Sequence, residues 1–214
     1  MDILGTLPNR IGVACSGGPD SMAALDFVLN TRREVSVFTF DHNTGLHEKA
    51  VETITKYLAK KSRKDVEVVS SPPLEVTKPK KVSKEEHWRD HRYTWLDYCA
   101  NKYNLEIITA HNLDDCIETW LWGAMHGNPR TIPYRRNRVI RPFLLWKKEE
   151  LKSWCHRQKI EYLDDPSNLD KAYMRGIMRT EVVPSALKIH PGLHTSIRNV
   201  VLESVKVENS SDKE

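Results

Sequence analysis

Ile11-Gly12-Val13-Ala14-Cys15-Ser16-Gly17-Gly18-Pro19-Asp20-Ser21 is the stretch on which the reading of this chain turns. A short apolar run ends in a glycine turn, and a helix-like segment from Met22 to Leu29 follows at once. Strand, tight turn and helix N-terminus in that order welcome an anion, because backbone N–H groups are exposed and the helix dipole adds partial positive charge. Gly17 and Gly18 let the backbone approach a phosphate with no Cβ in the way. Ser16 and Ser21 can donate hydroxyl hydrogen bonds to phosphate oxygens. Asp20 is out of place beside an anion unless a divalent cation lies between them. No Gly-Lys-Ser/Thr follows, so this is not a Walker loop. The three spaced glycines of a dinucleotide fingerprint are missing as well. The plain alternative is an ordinary glycine turn capped by Asp20.

Outward from this turn, apolar and β-branched runs alternate with helical stretches. Strands are expected over residues 10–15, 34–40, 65–69 and 105–109, and helices over 20–30, 48–61, 84–103 and 113–125. That alternation predicts an α/β fold, a parallel sheet with helices on both faces. Ligands in such folds bind beyond the C-terminal strand ends. Residues 16–21, 41–46 and 110–115 fall there. A polar, Arg-rich loop over 127–138 is expected to divide a nucleotide-binding core (1–126) from a small helical portion (127–202), with helices over 147–158 and 171–182. Residues 203–214 are expected to be a frayed tail.

The chain has 214 residues, 39% of them hydrophobic and 29% charged, which suits a soluble globular protein of one domain with a small appendage. No apolar run approaches the ~20 residues of a membrane helix, and the first residues lack the pattern of a signal peptide. Cys15, Cys99, Cys116 and Cys155 are scattered, so reduced thiols and a cytoplasmic location are expected. The net charge of +4 is mild, but ten basic residues face only Glu149 and Glu150 between residues 129 and 160. Lys78, Lys80, Lys81 and Lys84 make a second cluster. Either could meet a polyanion such as RNA, or could be a solvated face.

His111-Asn112-Leu113-Asp114-Asp115-Cys116-Ile117-Glu118 follows a predicted strand and opens a helix. Asp115 and Glu118, three apart, share one face and could hold Mg²⁺ against phosphates. Equally, acidic residues in a first turn offset the helix dipole. Glu85, Arg89, Arg92 and Tyr93 lie on one predicted helix. Arg175 and Arg179 lie four apart on another. Both sets could be surface ion-pair faces.

Together these pieces resemble the catalytic domain of the tRNA(Ile)-lysidine synthetase family, within the PP-loop ATP pyrophosphatases. The matching residues are Ser16, Gly17, Gly18, Pro19, Asp20 and Ser21; the Gly45-Leu46 turn; Glu85, Arg89, Arg92 and Tyr93; Thr109, His111, Asp114, Asp115, Glu118 and Thr119; Arg141-Pro142-Phe143-Leu144; and Asp165, Ser167, Asn168, Asp170, Tyr173, Arg175 and Arg179, closed by Pro184. The chain departs from the family at Asn43-Thr44-Gly45, where a histidine usually adjoins the glycine, and at Gly176, where asparagine is usual. The resemblance implies ATP cleaved between the α and β phosphates, with Mg²⁺ held by Asp20 and Asp115. It implies a tRNA partner, an isoleucine tRNA with a CAU anticodon, whose wobble cytidine takes up free L-lysine. Glu118 would bind metal or the lysine ammonium, and Arg175 or Arg179 would steady charge on phosphate. His111 would contact the nucleotide, and Arg89, Arg92, Arg135, Arg136 and Arg138 would meet tRNA. Typical members continue into C-terminal domains that grip tRNA, and the resemblance here covers the catalytic domain alone. Two alternatives stay open: another PP-loop modifier such as a thiolase, which commonly needs paired cysteines, and a non-catalytic nucleotide- or tRNA-binding module.

Overall fold

In a computed structural model, strand β1 (Arg10–Ala14) runs through the middle of a six-stranded sheet of order β3-β2-β1-β4-β6-β5. The structure describes residues 3–74, 84–164 and 174–211, with 84, 85 and 209–211 as backbone only. β2 (Glu34–Thr39) and β4 (Glu106–Ile108) flank β1 in parallel, and β3 (Glu67–Ser70) extends the sheet beyond β2. Side chains alternate across the pleat. Ile11, Val13, Val35, Val37 and Ile108 enter one core, and Phe38 and Ile107 enter the other.

Helices α1 (Pro19–Leu29), α2 (His47–Lys60) and α4 (Leu113–Met125) cover the first face. α3 (Lys84–Lys102) covers the second through Tyr93, Leu96, Cys99 and Ala100. Gly12 lies on the α3 side, where a Cβ would come within 2.6 Å of the Phe38 ring, so glycine is what lets that ring lie over the strand.

Past residue 127 the chain returns to the sheet. β5 (Arg135–Arg136) and β6 (Val139–Ile140) form a tight hairpin, and β6 pairs in parallel with β4, setting Val139 beside Ile107 and Ile140 beside Ile108. Asn137, at φ 54°, makes the turn. The loop expected to separate two portions therefore completes the sheet. Phe143, Leu144, Trp146, Leu151 and Cys155 share the core of β1, the last two from α5 (Lys148–Gln158). Strands of two residues are too short to leave a periodic signal.

The helix expected over 171–182 instead reaches residue 189. Its parts are α6 (Met174–Ile177), a π-helical turn (Met178–Val182) and α7 (Val183–Ile189). Pro184 has no N–H to give the carbonyl of Thr180 and its ring would crowd that carbonyl, so the helix widens by a turn. α8 (Leu193–Ser211) carries the segment expected to fray from Glu203. It is helical because Ile197, Val201 and Val205 keep one apolar stripe on the core.

Lys78, Lys80 and Lys81, and the motif positions Asp165, Ser167, Asn168, Asp170 and Tyr173, lie outside the described residues, as does the Glu85 side chain. Among the described residues no helix is long and apolar enough to cross a membrane.

Candidate active site at the ends of β1 and β4

The glycine turn leaves β1 and becomes the N-terminus of α1, with Gly18 as the extended residue before Pro19. Ser21 is buried, and its hydroxyl is spent inside the turn. It donates to the Gly18 carbonyl at 3.0 Å and accepts from the Ser16 N–H at 3.1 Å. Ser21 thus braces the loop, while Ser16, 3.3 Å from it, is exposed. Gly17 is required by the chain itself. Its φ is +78°, and a Cβ would press on Ala50 and Leu163 at 3.2 to 3.3 Å. A Cβ on Gly18 would meet nothing closer than 3.5 Å, so glycine there keeps the outer face of the loop open. The N–H groups of Gly18, Asp20 and Ser21 have no acceptor among the described residues.

Across from this loop, α4 begins at the end of β4. Asn112 caps it: its carbonyl oxygen accepts from the Asp115 N–H at 3.1 Å, and its own N–H donates to Asp115 Oδ2 at 3.0 Å. The remaining Asn112 amide donates to Asp20 Oδ2 at 3.2 Å and ties the two loops together. Arg179, from the π-helical turn, donates to Glu118 Oε1 at 2.7 Å and Asp115 Oδ1 at 3.2 Å. Asp20 Oδ1 is buried with no partner among the described residues. Burial pushes the Asp20 carboxyl up to about 6; Lys148 opposes that and Asp115 adds to it. Burial and Asp115 also raise Glu118 against the pull of Arg179. Negative charge is therefore crowded here. An orphaned carboxylate oxygen beside a second carboxylate fits a divalent cation that draws its other ligands from phosphate and water. Among the described residues no set of three His, Cys, Asp or Glu makes a protein-only cage. Asp114 faces elsewhere, accepting from the Lys148 N–H at 2.7 Å and contacting His194 at 3.2 Å, which fastens α5 and α8 to α4.

A second cluster adjoins the first. Tyr93 is buried, with the guanidinium carbons of Arg136 at 4.5 Å, Arg92 and Arg141 at 5.5 Å and Arg89 at 5.8 Å from its ring centre. Arg141, itself 1% exposed, donates to the Tyr93 hydroxyl at 3.0 Å and the Pro133 carbonyl at 2.8 Å. Burial would raise the Tyr93 phenol, but Arg141 and Arg92 outweigh it and the pKa falls. Burial depresses Arg89 and Arg92, helped by the charges of Arg175 and Arg141. Among the described residues none of Arg89, Arg92, Arg136, Arg141 and Arg175 has a carboxylate partner. His111 stands at the seam between the clusters, its Nδ1 2.9 Å from Thr109 Oγ1. Burial lowers its pKa to about 3; Asp115 resists, and Arg141, Arg92 and Arg175 add to the fall. His111 is neutral at physiological pH.

The residues singled out from sequence are thus sorted. Asp20, Asp115, Glu118 and Arg179 meet in one cluster. Arg89, Arg92, Arg136 and Arg175 meet in the other, so the expected common face of Arg175 and Arg179 is divided. Arg135 pairs with Glu106, and Arg138 donates to Asn104 Oδ1 and the Ala100 carbonyl at 3.1 Å, all near the start of β4. Those two arginines brace the hairpin. Asn112, Tyr93 and Arg141 were not singled out as site residues. The Asn-x-x-Asp spacing at 112–115 carries a signal for a cap, whereas Arg141 is marked only by its place in the Arg-Pro-Phe-Leu motif and by nothing that foretells its burial at Tyr93.

The profile of the PP-loop domain family matches residues 5–186. The chain belongs to that family. This PP-loop protein is 28% identical to tRNA(Ile)-lysidine synthase of Pseudothermotoga lettingae over 210 residues, which are 94% of this chain and 47% of that one. It is 30% identical to the enzyme of that name from Bacillus subtilis, covering 88% of this chain and 43% of the relative. The PP-loop chain therefore spans about half the length of these relatives. Among solved structures, the U34-tRNA thiolase NcsA from Methanococcus maripaludis superposes with a TM-score of 0.73 at 14% identity, covering 94% of this chain and 74% of that one. That likeness is one of fold.

Proposed function

We propose that this PP-loop domain cleaves ATP to AMP and pyrophosphate and thereby joins free L-lysine to C2 of the wobble cytidine in an isoleucine tRNA with a CAU anticodon. The observation that carries the reading is the seam at His111. There a loop suited to phosphate, with its acidic cluster, adjoins arginines that have no carboxylate partner among the described residues. An RNA phosphate backbone and a nucleotide triphosphate can be held side by side in such a place. The lysidine synthases named above, similar over most of this chain, support the choice of reaction.

On this reading the open N–H groups of Gly18, Asp20 and Ser21 hold ATP phosphates. Asp20 and Asp115 would hold Mg²⁺, which when bound neutralises charge on the phosphates. Arg89, Arg92 and Arg136 hold RNA backbone, so the target base is splayed toward the α-phosphate. The cytidine O2 then attacks that phosphorus and pyrophosphate departs. An amine of free lysine next attacks C2, the C2–O2 bond breaks, and AMP leaves carrying that oxygen while the amine gives up a proton. Neutral His111 can give or take a hydrogen bond there without adding charge. Glu118 offers an acceptor for the lysine ammonium, and Arg175 steadies charge on phosphate. Cytoplasm is the compartment that fits a tRNA reaction and four free thiols.

The thiolase alternative asks cysteines to converge. Cys99 lies in the core on one face of the sheet, apart from Cys15, Cys116 and Cys155 on the other, and all four are buried free thiols. Mass spectrometry of tRNA incubated with the protein, ATP and lysine tests the proposal. A lysine-sized mass gain on the wobble cytidine, with AMP and pyrophosphate in equal amounts, is expected. ADP and phosphate as the products would overturn it.

A further inference from the structure

We infer that Lys148 and Lys152 form the pyrophosphate-holding wall of the ATP site. The inference rests on the reading that ATP is cleaved between its α and β phosphates at the glycine loop. Lys148, Lys152 and Cys155 are spaced four and three apart, so they share one face of α5. Both ends of the helix segment are fastened beside the site, one to the glycine loop and one to the first turn of α4. Cys155 Sγ lies 3.3 Å from the Pro19 carbonyl, inside the glycine loop. The Lys148 N–H donates to Asp114 at 2.7 Å, at the N-terminus of α4. The lysines therefore border the space between the loop and the acidic cluster. Both ammonium charges reach the Asp20 carboxyl, and Lys148 also reaches Glu118. Both side chains are half-buried, and neither has a carboxylate at ion-pair distance among the described residues.

The chemistry of the leaving group explains why two cations would stand there. As the cytidine oxygen bonds to the α-phosphorus, the bond from that phosphorus to the bridging oxygen breaks and its electron pair goes to pyrophosphate. Charge grows on the bridging oxygen while the β and γ phosphates are already anionic. The loop supplies N–H groups but no side-chain cation, and Pro19 removes one donor. Arg179 is committed to Asp115 and Glu118, and Arg89, Arg92, Arg136 and Arg141 surround Tyr93. Lysine suits such a place, because a compact charge on a flexible stem can follow a departing phosphate.

Titration calorimetry of the full chain with pyrophosphate, ATP and AMP tests this, using Lys148→Gln, Lys152→Gln and the corresponding arginine variants. Each glutamine variant should bind pyrophosphate and ATP about 10-fold more weakly or worse, the scale of losing one charge-assisted contact. AMP should bind each as it binds the wild type, which also shows that the fold is intact. Arginine should restore most of the pyrophosphate affinity. Glutamine variants that bind pyrophosphate and ATP like the wild type overturn the inference. So does a loss confined to tRNA affinity, which would make these lysines part of an RNA surface. A wild-type chain that binds neither ATP nor pyrophosphate overturns the nucleotide reading itself, an outcome seen before any variant is made.

Discussion

The two clusters on either side of His111 handle charge in opposite ways. In the acidic one, Asp115 and Glu118 share Arg179, and Asp20 is held by Asn112 through one oxygen only. In the basic one, Arg89, Arg92, Arg136 and Arg141 crowd a tyrosine, the charge of Arg175 acts on Arg89 and Arg92, and none of the five has a carboxylate among the described residues. Like charges are brought together at a cost, with one Asp20 oxygen unpartnered on one side and no carboxylate at the arginines on the other among the described residues, an arrangement suited to charges that ligands bring. The acidic side, with Asp20 Oδ1 unpartnered, has room for a further cation, and the basic side, with no carboxylate among the described residues, has room for an anion. A metal-bound triphosphate and an RNA strand would supply both.

The sharpest way to break this contrast is Asp115→Asn. The amide keeps an acceptor for the Asn112 N–H, so α4 stays capped, but the charge is gone. AMP release should fall about 10²- to 10³-fold, the scale of losing one preorganised electrostatic group, with an unchanged circular dichroism spectrum. Near-wild-type turnover would mean that Asp115 is only a cap.

On the basic side, Arg136→Glu should weaken tRNA binding roughly 10-fold. It should flatten the plot of log affinity against log salt by about 0.7 to 0.9 if one phosphate contact is lost. Arg138→Glu should change neither, since Arg138 is engaged with Asn104 and Ala100. Equal losses from both would show that the hairpin binds RNA as a whole.

Asp20→Asn separates stability from activity. The folded carboxyl, raised to about 6, is above its unfolded value of about 3.9, so ionising it opposes folding. The opposition is absent below about pH 4, grows through pH 6 and is constant above. The variant should therefore melt a few degrees higher than wild type at about pH 7.5, roughly 2–4 °C per kcal/mol for a chain of this size, and no higher at about pH 4. Its turnover should still be lost. A gain that persists at low pH would trace to packing instead.

Smaller still, Arg138→Ala should cost about 1 kcal/mol of stability, the worth of hydrogen bonds to neutral acceptors, with tRNA affinity intact. Finally, the His111 ring resonances should not titrate between about pH 5 and 8. An inflection near 6.5 would mean that the basic cluster leaves His111 less perturbed than its burial and neighbours imply.

Much of this was legible in residue order. The strand–turn–helix at 10–29 declared itself because glycine and proline punctuate a short apolar run, a local effect. The parallel order of β1, β2, β3 and β4 was implied by alternating elements. Asp115 and Glu118 could be placed on one face from helical periodicity alone. The hairpin at 135–140 was not legible, since β6 is held by pairing with Ile107 and Ile108 and has no pattern of its own. Nor was the division between Arg175 and Arg179, because their neighbours, carboxylates for one and arginines for the other, come from distant parts of the chain.

By itself, then, the sequence determined which groups this chain can offer: a glycine loop for an anion, carboxylates at a strand end, and a surplus of arginine. Tertiary structure decided which of them meet. Asn112 reaches Asp20 across 92 positions, Arg179 reaches Asp115 across 64, and Arg141 reaches Tyr93 across 48. The reason is physical. Turn chemistry and helix periodicity act over a few neighbouring residues and can be read in order. The pairing of buried charges depends on burial and distance, which exist only once the sheet has brought its strand ends together.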